Sequence, residues 1–134
     1  MTPTRISQSA AIILIVEDEE PIAMTLAMIV EDYGCLPMIA KNGEDALRCF
    51  QEQEPNLILT DLMMPKMNGN EFIAILRART VPGRALPPIV LMSAAESGLV
   101  SRTKADAFLP KPFDIDDVEA LLMRFVGHSR AAAG

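Results

Sequence analysis

The 134-residue sequence has little histidine, cysteine or positive charge, and it has no long apolar run. Its 12 basic and 18 acidic residues give a net charge of -6, which argues against a nucleic-acid surface, because such a surface needs a basic patch. The longest apolar run, 10–16, is too short to cross a membrane. The residues before it do not resemble a signal peptide, so we expect a cytoplasmic protein with no membrane contact.

The cysteines and the single histidine do not indicate a metal or catalytic site. Cys35 and Cys49 lack the spacing of metal ligands, and without an export signal we expect two reduced thiols rather than a disulfide. His128 lies in the small, polar sequence GHSRAAAG, so we interpret it as part of a solvated terminus. The length, and an apolar content of half the residues, are typical of one folded domain.

Short apolar runs alternate with amphipathic segments along the chain. The apolar runs are 11–16, 35–40, 56–60, 88–92 and 107–110. Helical spacing of apolar residues is found in 21–33, in 43–53 after a predicted Asn42 cap, at Phe72, Ile75 and Leu76, and from Asp114 onward. A weaker helical segment, 96–106, separates the last two runs. This alternation predicts an α/β fold, a doubly wound five-stranded parallel sheet with helices on both faces.

Ligands of open parallel sheets bind beyond the carboxyl ends of the strands, so the residues at those ends are the candidate site. The first strand is followed by Glu17-Asp18-Glu19, the third ends at Asp61, the fourth ends at Ser93, and the fifth is followed by Lys111-Pro112. The second strand ends in Ala40-Lys41-Asn42, which offers no obvious chemistry.

Asp61 is an acid at the end of a buried strand, so it is a helix cap, a metal ligand or a nucleophile. If the first and third strands are neighbours, Asp18 and Asp61 lie close together with Glu17 nearby. Such carboxylates either take up a proton or bind a cation, and hard oxygen ligands at an open cleft suit Mg²⁺. Ser93 and Lys111 would add a hydroxyl and an ammonium group. The set matches phosphoryl transfer to Asp61 as the nucleophile, which would form an acyl phosphate.

Four segments carry a resemblance to a known family. They are ILIVEDEE (13–20), LILTDLMMPKMNG (57–69), PIVLMSA (88–94) and FLPKPF (108–113). In this order, at the expected strand ends, they make the chain similar to the receiver domains of two-component response regulators, the chemotaxis-regulator-like proteins. The resemblance covers a domain over 11–127 and implies a flavodoxin-like fold with strand order 2-1-3-4-5. We expect flexible ends at 1–10 and 128–134.

The resemblance implies a role for each matching residue. Asp61 would be the phospho-acceptor, Ser93 the switch hydroxyl and Lys111 the family's catalytic lysine. Phe108 would be the aromatic side chain that swings inward on activation. The bond between Lys111 and Pro112 would be cis, a form that only proline adopts at low cost.

The resemblance also implies a magnesium site, in which Mn²⁺ can replace Mg²⁺. Asp18 and Asp61 would bind the metal directly, Glu17 would act mostly through water, and the backbone carbonyl of Met63 would be a further ligand. The acids before the first helix could also favour its dipole. Asp18 can serve both purposes, whereas Glu19 fits the helix alone.

The implied function is a signalling switch in a phosphorelay rather than a turnover enzyme. The domain would catalyse only its own phosphoryl transfer and dephosphorylation. Its phosphodonor would be a histidine kinase or a histidine phosphotransfer protein. A downstream protein would bind the face formed by the predicted fourth helix, the fifth strand and the last helix. The module could be free-standing, or part of a longer regulator or a hybrid histidine kinase.

One region departs from the family pattern. From Ser93 to Lys111 the chain is shorter than usual by about one helical turn, and Lys104-Ala105 stands where a glycine-alanine pair is common. We therefore expect the predicted fourth helix, within 94–106, to be short or mobile. Docking modes typical of the family should not be assumed for this face.

Two other classes use similar residues. An aspartyl-nucleophile phosphatase of the haloacid dehalogenase type needs a second acid two residues after the nucleophile, where this chain has Met63. A flavin carrier with the same sheet order needs a phosphate loop rich in hydroxyl groups and glycine, where this chain has Glu17-Asp18-Glu19. The residues therefore favour the receiver.

Overall fold

The structure, a computed structural model, describes residues 10–79, 83, 85–94 and 104–127. The strands are β1 (Ile12–Val16), β2 (Leu36–Ala40), β3 (Leu57–Asp61), β4 (Ile89–Ala94) and β5 (Ala107–Lys111). The helices in the described residues are α1 (Glu20–Tyr33), α2 (Gly43–Glu52), α3 (Gly69–Ala78) and α4 (Ile115–Val126).

All five strands are parallel and follow the order β2-β1-β3-β4-β5, as predicted. The three central strands are buried on both faces, which explains why their sequences are continuously apolar. The edge strands are partly exposed, and each contains a proline, Pro37 in β2 and Pro110 in β5. Proline lacks the N–H that a ladder hydrogen bond needs, and an edge strand tolerates this because one of its sides is not paired with another strand.

Successive side chains of the central strands face two separate cores. Ile13 and Ile15 point into a core that includes residues of α1 and α4, whereas Leu14 and Val16 point into one that includes residues of α2 and α3. Helices therefore cover both faces of the sheet, which confirms the doubly wound fold predicted from the alternation of elements.

The helix starts also follow sequence signals. The Asn42 side chain accepts a hydrogen bond from the backbone N–H of Asp45 at 2.9 Å, so the predicted cap of α2 is confirmed. Capping boxes begin α3 at Asn68 and α4 at Asp114, where each cap residue and an acid three positions later satisfy each other's backbone N–H.

Most of the predicted fourth helix lies outside the described residues. Its last three positions, 104–106, are described and are not helical. His128 and all but one of the residues in the expected flexible ends also fall outside. Cys35 and Cys49 are free thiols, as predicted. Among the described residues, no helix is long and apolar enough to span a bilayer.

Two strands begin with the same side-chain arrangement. Asn56, just before β3, donates its N–H to the Ile12 carbonyl oxygen at 2.7 Å, and its Oδ1 accepts from the Ile12 N–H at 2.8 Å. Asp106, just before β5, makes the same pair with Ile89 at 2.7 and 2.8 Å. Each side-chain oxygen thus accepts a hydrogen bond from a backbone N–H at the start of a neighbouring strand, as a main-chain carbonyl does elsewhere in the sheet.

Of these two side chains only Asp106 is charged, and the guanidinium group of Arg77 lies beside it. The Arg77 Nη2 lies 3.7 Å from Asp106 Oδ2 and also donates to the Lys104 carbonyl oxygen. The last turn of α3 is therefore attached to the chain just before β5.

We expect Asp106→Ala to lower the free energy of unfolding by about 1–2 kcal/mol, because it leaves the Ile89 N–H without its acceptor. Asp106→Asn keeps that acceptor and weakens only the exposed ion pair, so its cost should stay below about 1 kcal/mol. Urea unfolding measures both changes. Asn56→Ala is the matched control and should resemble Asp106→Ala. Equal losses for Asp106→Asn and Asp106→Ala would show that the bond to Ile89 is not the stabilising contact.

Candidate functional site

The carboxyl ends of the central strands bring the predicted acids together. Asp61 is the last residue of β3, and Glu17 follows β1, the neighbouring strand. One carboxylate oxygen from each of Glu17, Asp18 and Asp61 lies within 4.8 Å of the others. Only 1% of Glu17 and 4% of Asp61 is exposed, whereas Asp18 is exposed to solvent. The site is therefore a partly buried acidic pocket that opens on the side of Asp18.

Lys111, the last residue of β5, reaches into this pocket. Its Nζ donates to Glu17 Oε1 at 3.0 Å and lies 3.2 Å from Asp61 Oδ1. One ammonium group therefore faces two buried carboxylates. The structure brings together the acids and the lysine that the sequence singled out at three separate strand ends.

Burial and charge set the protonation of these groups. Burial raises the pKa of Asp61 and of Glu17 above the ordinary carboxyl range, and the bond and charge of Lys111 only partly oppose this. Burial alone would lower the pKa of Lys111, but the bond to Glu17 and the charge of Asp61 outweigh it and raise that pKa. The pocket has more negative charge than one lysine can balance.

The donor set fits a hard divalent cation. Three carboxylates within reach of one point, two of them buried and one at the open side, offer the oxygen ligands that Mg²⁺ prefers while leaving room for water or a phosphoryl group. A cation would also relieve the repulsion between the acids. Met63, two residues beyond Asp61, lies in the loop before α3, and its side chain is exposed.

The predicted switch residues lie on β4 and β5, and neither of their side chains is hydrogen-bonded to Asp61. Ser93, in β4, is buried, and its hydroxyl donates to the Ala94 carbonyl oxygen at 3.1 Å. Phe108, in β5, is 44% exposed and helps to line a surface cavity of about 350 Å³ between β5 and α4. The peptide bond between Lys111 and Pro112 is cis, as predicted.

Two glycines that the sequence analysis did not single out fit closely around the pocket. A Cβ on Gly69 would lie 2.5 Å from the Asp61 carbonyl oxygen, and one on Gly43 would lie 2.5 Å from the Met67 sulfur. Both follow an asparagine that caps a helix, in the sequences KNGED and MNGNE. That repeated pattern predicts helix starts, but the close contacts depend on the packing of separate segments.

The raised carboxyl pKa values predict how stability depends on pH without metal. The folded chain binds protons at Asp61 and Glu17 more tightly than the unfolded chain, so both residues lower stability as pH rises through their raised pKa. We expect Asp61→Asn to be more stable than the wild type at about pH 7 in EDTA, and the difference to shrink at about pH 4, because the raised pKa of Asp61 favours its protonated form as the pH falls.

Urea unfolding at both pH values measures this difference. Glu44→Gln, in the exposed first turn of α2, is the control and should show no such gain, because an acid is already favourable at a helix start. A wild type that is more stable than Asp61→Asn at the higher pH would contradict the prediction.

Comparison with known proteins shows that the chain is similar to response regulators. A family model described as the response regulator receiver domain matches residues 13–123. Response regulator Rre1 of Synechocystis sp. is 30% identical over 90% of this chain and 54% of its own length. The alkaline phosphatase synthesis transcriptional regulatory protein PhoP of Bacillus subtilis is 32% identical over 90% of this chain and 50% of its own length. The chain thus spans about half of each relative.

Solved structures show the same fold. A receiver domain of a response regulator from Bermanella marisrubri superposes with a TM-score of 0.79 at 29% identity, covering 87% of this chain and 98% of that one. Vibrio cholerae chemotaxis protein CheY4 gives 0.78 at 26% identity, with the same coverage. Since the family model matches 13–123, which includes residues of all five strands and most of the last helix, the chain belongs to the response regulator receiver domain family.

Proposed function

We propose that this chain is a phosphorylation-dependent switch in which Asp61 accepts a phosphoryl group. The observation that carries the proposal is the position of the Lys111 ammonium, 3.2 Å from Asp61 Oδ1 inside a pocket formed by three carboxylates. A buried carboxylate at a strand end, with a cation beside it and an open side, is suited to attack phosphorus and then hold a dianionic group.

The protein groups have separate parts in the transfer. A carboxylate oxygen of Asp61 attacks phosphorus, the P–N bond to a donor imidazole breaks, and the leaving nitrogen takes up a proton. Lys111 then exchanges its contact with Asp61 for one with a phosphoryl oxygen. A Mg²⁺ ion held by Glu17, Asp18, Asp61 and the Met63 carbonyl, or a Mn²⁺ ion in its place, would neutralise charge on the phosphoryl oxygens.

The switch would follow from the new charge at Asp61. We propose that Ser93 turns its hydroxyl from the Ala94 carbonyl to a phosphoryl oxygen, and that Phe108 moves inward from its exposed position. The face formed by β5, α4 and the segment before β5 would then change shape. Phe108 gives that face an exposed aromatic side chain, which suits a protein target. Phosphorylation would shift a population between two states.

The proposed partners follow from the same chemistry. The phosphodonor would be a histidine kinase or a histidine phosphotransfer protein, which places this chain in a cytoplasmic phosphorelay. Sensor histidine kinase AtsR of Burkholderia thailandensis is 32% identical over 83% of this chain, which spans 19% of that protein. Similar modules therefore occur within longer kinases, and this chain could be such a module or a free-standing regulator. We propose a protein target rather than nucleic acid.

Labelling tests the acceptor directly. Incubation with Mg²⁺ and acetyl phosphate or phosphoramidate should add one phosphoryl group to the wild type, detected as an acid-stable, base-labile mass increase. Asp61→Asn should abolish this labelling, because an amide cannot form the acyl phosphate. Asp32→Asn should be labelled as the wild type is. Labelling that persists in Asp61→Asn would rule out Asp61 as the acceptor.

Lys111→Ala should separate labelling from the shape change. Asp61 and the metal ligands remain, so we expect slower but measurable labelling. The contact by which a phosphoryl oxygen would attract Lys111, and with it β5, is lost. Hydrogen exchange across β5 and α4, with and without beryllofluoride and Mg²⁺, measures the response. Lys41→Ala, at the same edge of the sheet and exposed, should respond as the wild type does. A full response in Lys111→Ala would refute the proposed coupling role.

A further inference from the structure

The loop after the acceptor lies against the start of α2 through Met67, and the proposed mechanism does not use this contact. We propose that Gly43 and Met67 form a positioning contact, here called the Gly43–Met67 contact, that sets the cation affinity of the Asp61 pocket. The inference rests on the proposed function, because it assumes that this pocket binds a divalent cation.

The loop itself has a conformation that requires support. Leu62 is fixed at its start, since it is fully buried and its N–H donates to the Met92 carbonyl oxygen at 2.9 Å. Lys66 then adopts the left-handed region with φ of 69°, and the Met67 N–H donates to the Pro65 carbonyl oxygen at 2.7 Å. A non-glycine residue keeps such a backbone only where its surroundings hold it there.

The support comes from the first residue of α2. Gly43 is buried, and the Asn42 cap fixes its position at the helix start. A Cβ there would lie 2.5 Å from Sδ and 2.9 Å from Cγ of Met67, so the methionine side chain occupies the space that any other residue would need. Met67 also packs against the core between α2, α3 and the sheet. The loop therefore rests on α2 through this side chain.

The same turn also contacts the acidic side of the pocket. The Glu17 N–H donates to the carbonyl oxygen of Ala40, which ends β2 three residues before Gly43. The turn 40–43 is thus attached to Glu17 on one side and, through Met67, to the loop that contains Met63 on the other. A displacement at Gly43 would change the separation of these two parts of the cation site, although Gly43 and Met67 are not ligands themselves.

Titration of the full chain with Mn²⁺, followed by electron paramagnetic resonance, tests the proposal. We expect Gly43→Ala to weaken Mn²⁺ binding by about tenfold, the lower end of what is lost when residues behind metal ligands are changed. Alanine favours helices more than glycine does, so loss of helix propensity would not explain the effect. Circular dichroism should show an intact fold.

A second change makes the test specific to the contact. Met67→Ala alone removes the support of the loop, so it should also weaken Mn²⁺ binding. In Gly43→Ala combined with Met67→Ala, the sulfur and methylene that the new methyl would displace are gone, so the two losses should not add and Mn²⁺ should bind as it does to Met67→Ala. Met64→Ala is the matched control, because Met64 lies in the same loop and packs against the same core but is not among the closest neighbours of Gly43. It should leave Mn²⁺ affinity unchanged even where it lowers stability.

The outcomes separate this inference from the proposed function. If the wild type binds Mn²⁺, Asp61→Asn loses it, and Gly43→Ala binds as tightly as the wild type, the inference is wrong and the proposed function stands. If Met64→Ala and Gly43→Ala weakened Mn²⁺ binding equally, the inference would also be wrong, since any loss of packing in the loop would then be enough to lower the affinity. A wild type with no Asp61-dependent Mn²⁺ binding would overturn both.

Discussion

The pocket depends on one ammonium group that faces two buried carboxylates. Glu17 and Asp61 are almost fully buried, so keeping either of them ionised requires a charged partner close by. Lys111 contacts both acids, yet burial keeps their pKa values raised. In the proposed function, the excess of three carboxylates over one ammonium group would favour a cation, and the cation would in turn allow a phosphoryl group to bind.

Much of the fold could be predicted because it follows from local patterns. Continuously apolar runs indicated strands buried on both faces, and β1, β3 and β4 are buried in that way. Asn42 was predicted to cap α2 from its side chain and its position alone, and it does. The order of the strands came from the family resemblance, because periodicity does not specify which strands are neighbours. The segment between β4 and β5 had the weakest pattern, and most of it lies outside the described residues.

The candidate site was partly predictable for the same reason. Parallel strands end at one edge, so the residues after them had to be near one another, and Glu17, Asp61 and Lys111 are. Sequence spacing could not give the hydrogen bond of Ser93 to its own neighbour or the exposure of Phe108, since both depend on how these side chains are oriented in the packed fold. Nor could it reveal Gly43, whose space is filled by a side chain 24 positions away.

The acceptor loop, which is proposed to bind the cation, and β5, which is proposed to move, differ in how firmly the rest of the fold fixes them. Leu62 and Gly69, on either side of the acceptor loop, are buried and hydrogen-bonded to each other's backbone at 2.8 Å. Lys111 and Phe108 belong instead to β5, an edge strand paired on one side only. Since the ammonium group of this strand already contacts Asp61, new charge there acts directly on the strand that contains the exposed aromatic residue. In the proposed switch, the pocket would therefore keep its geometry while β5 transmits the change to the outer face.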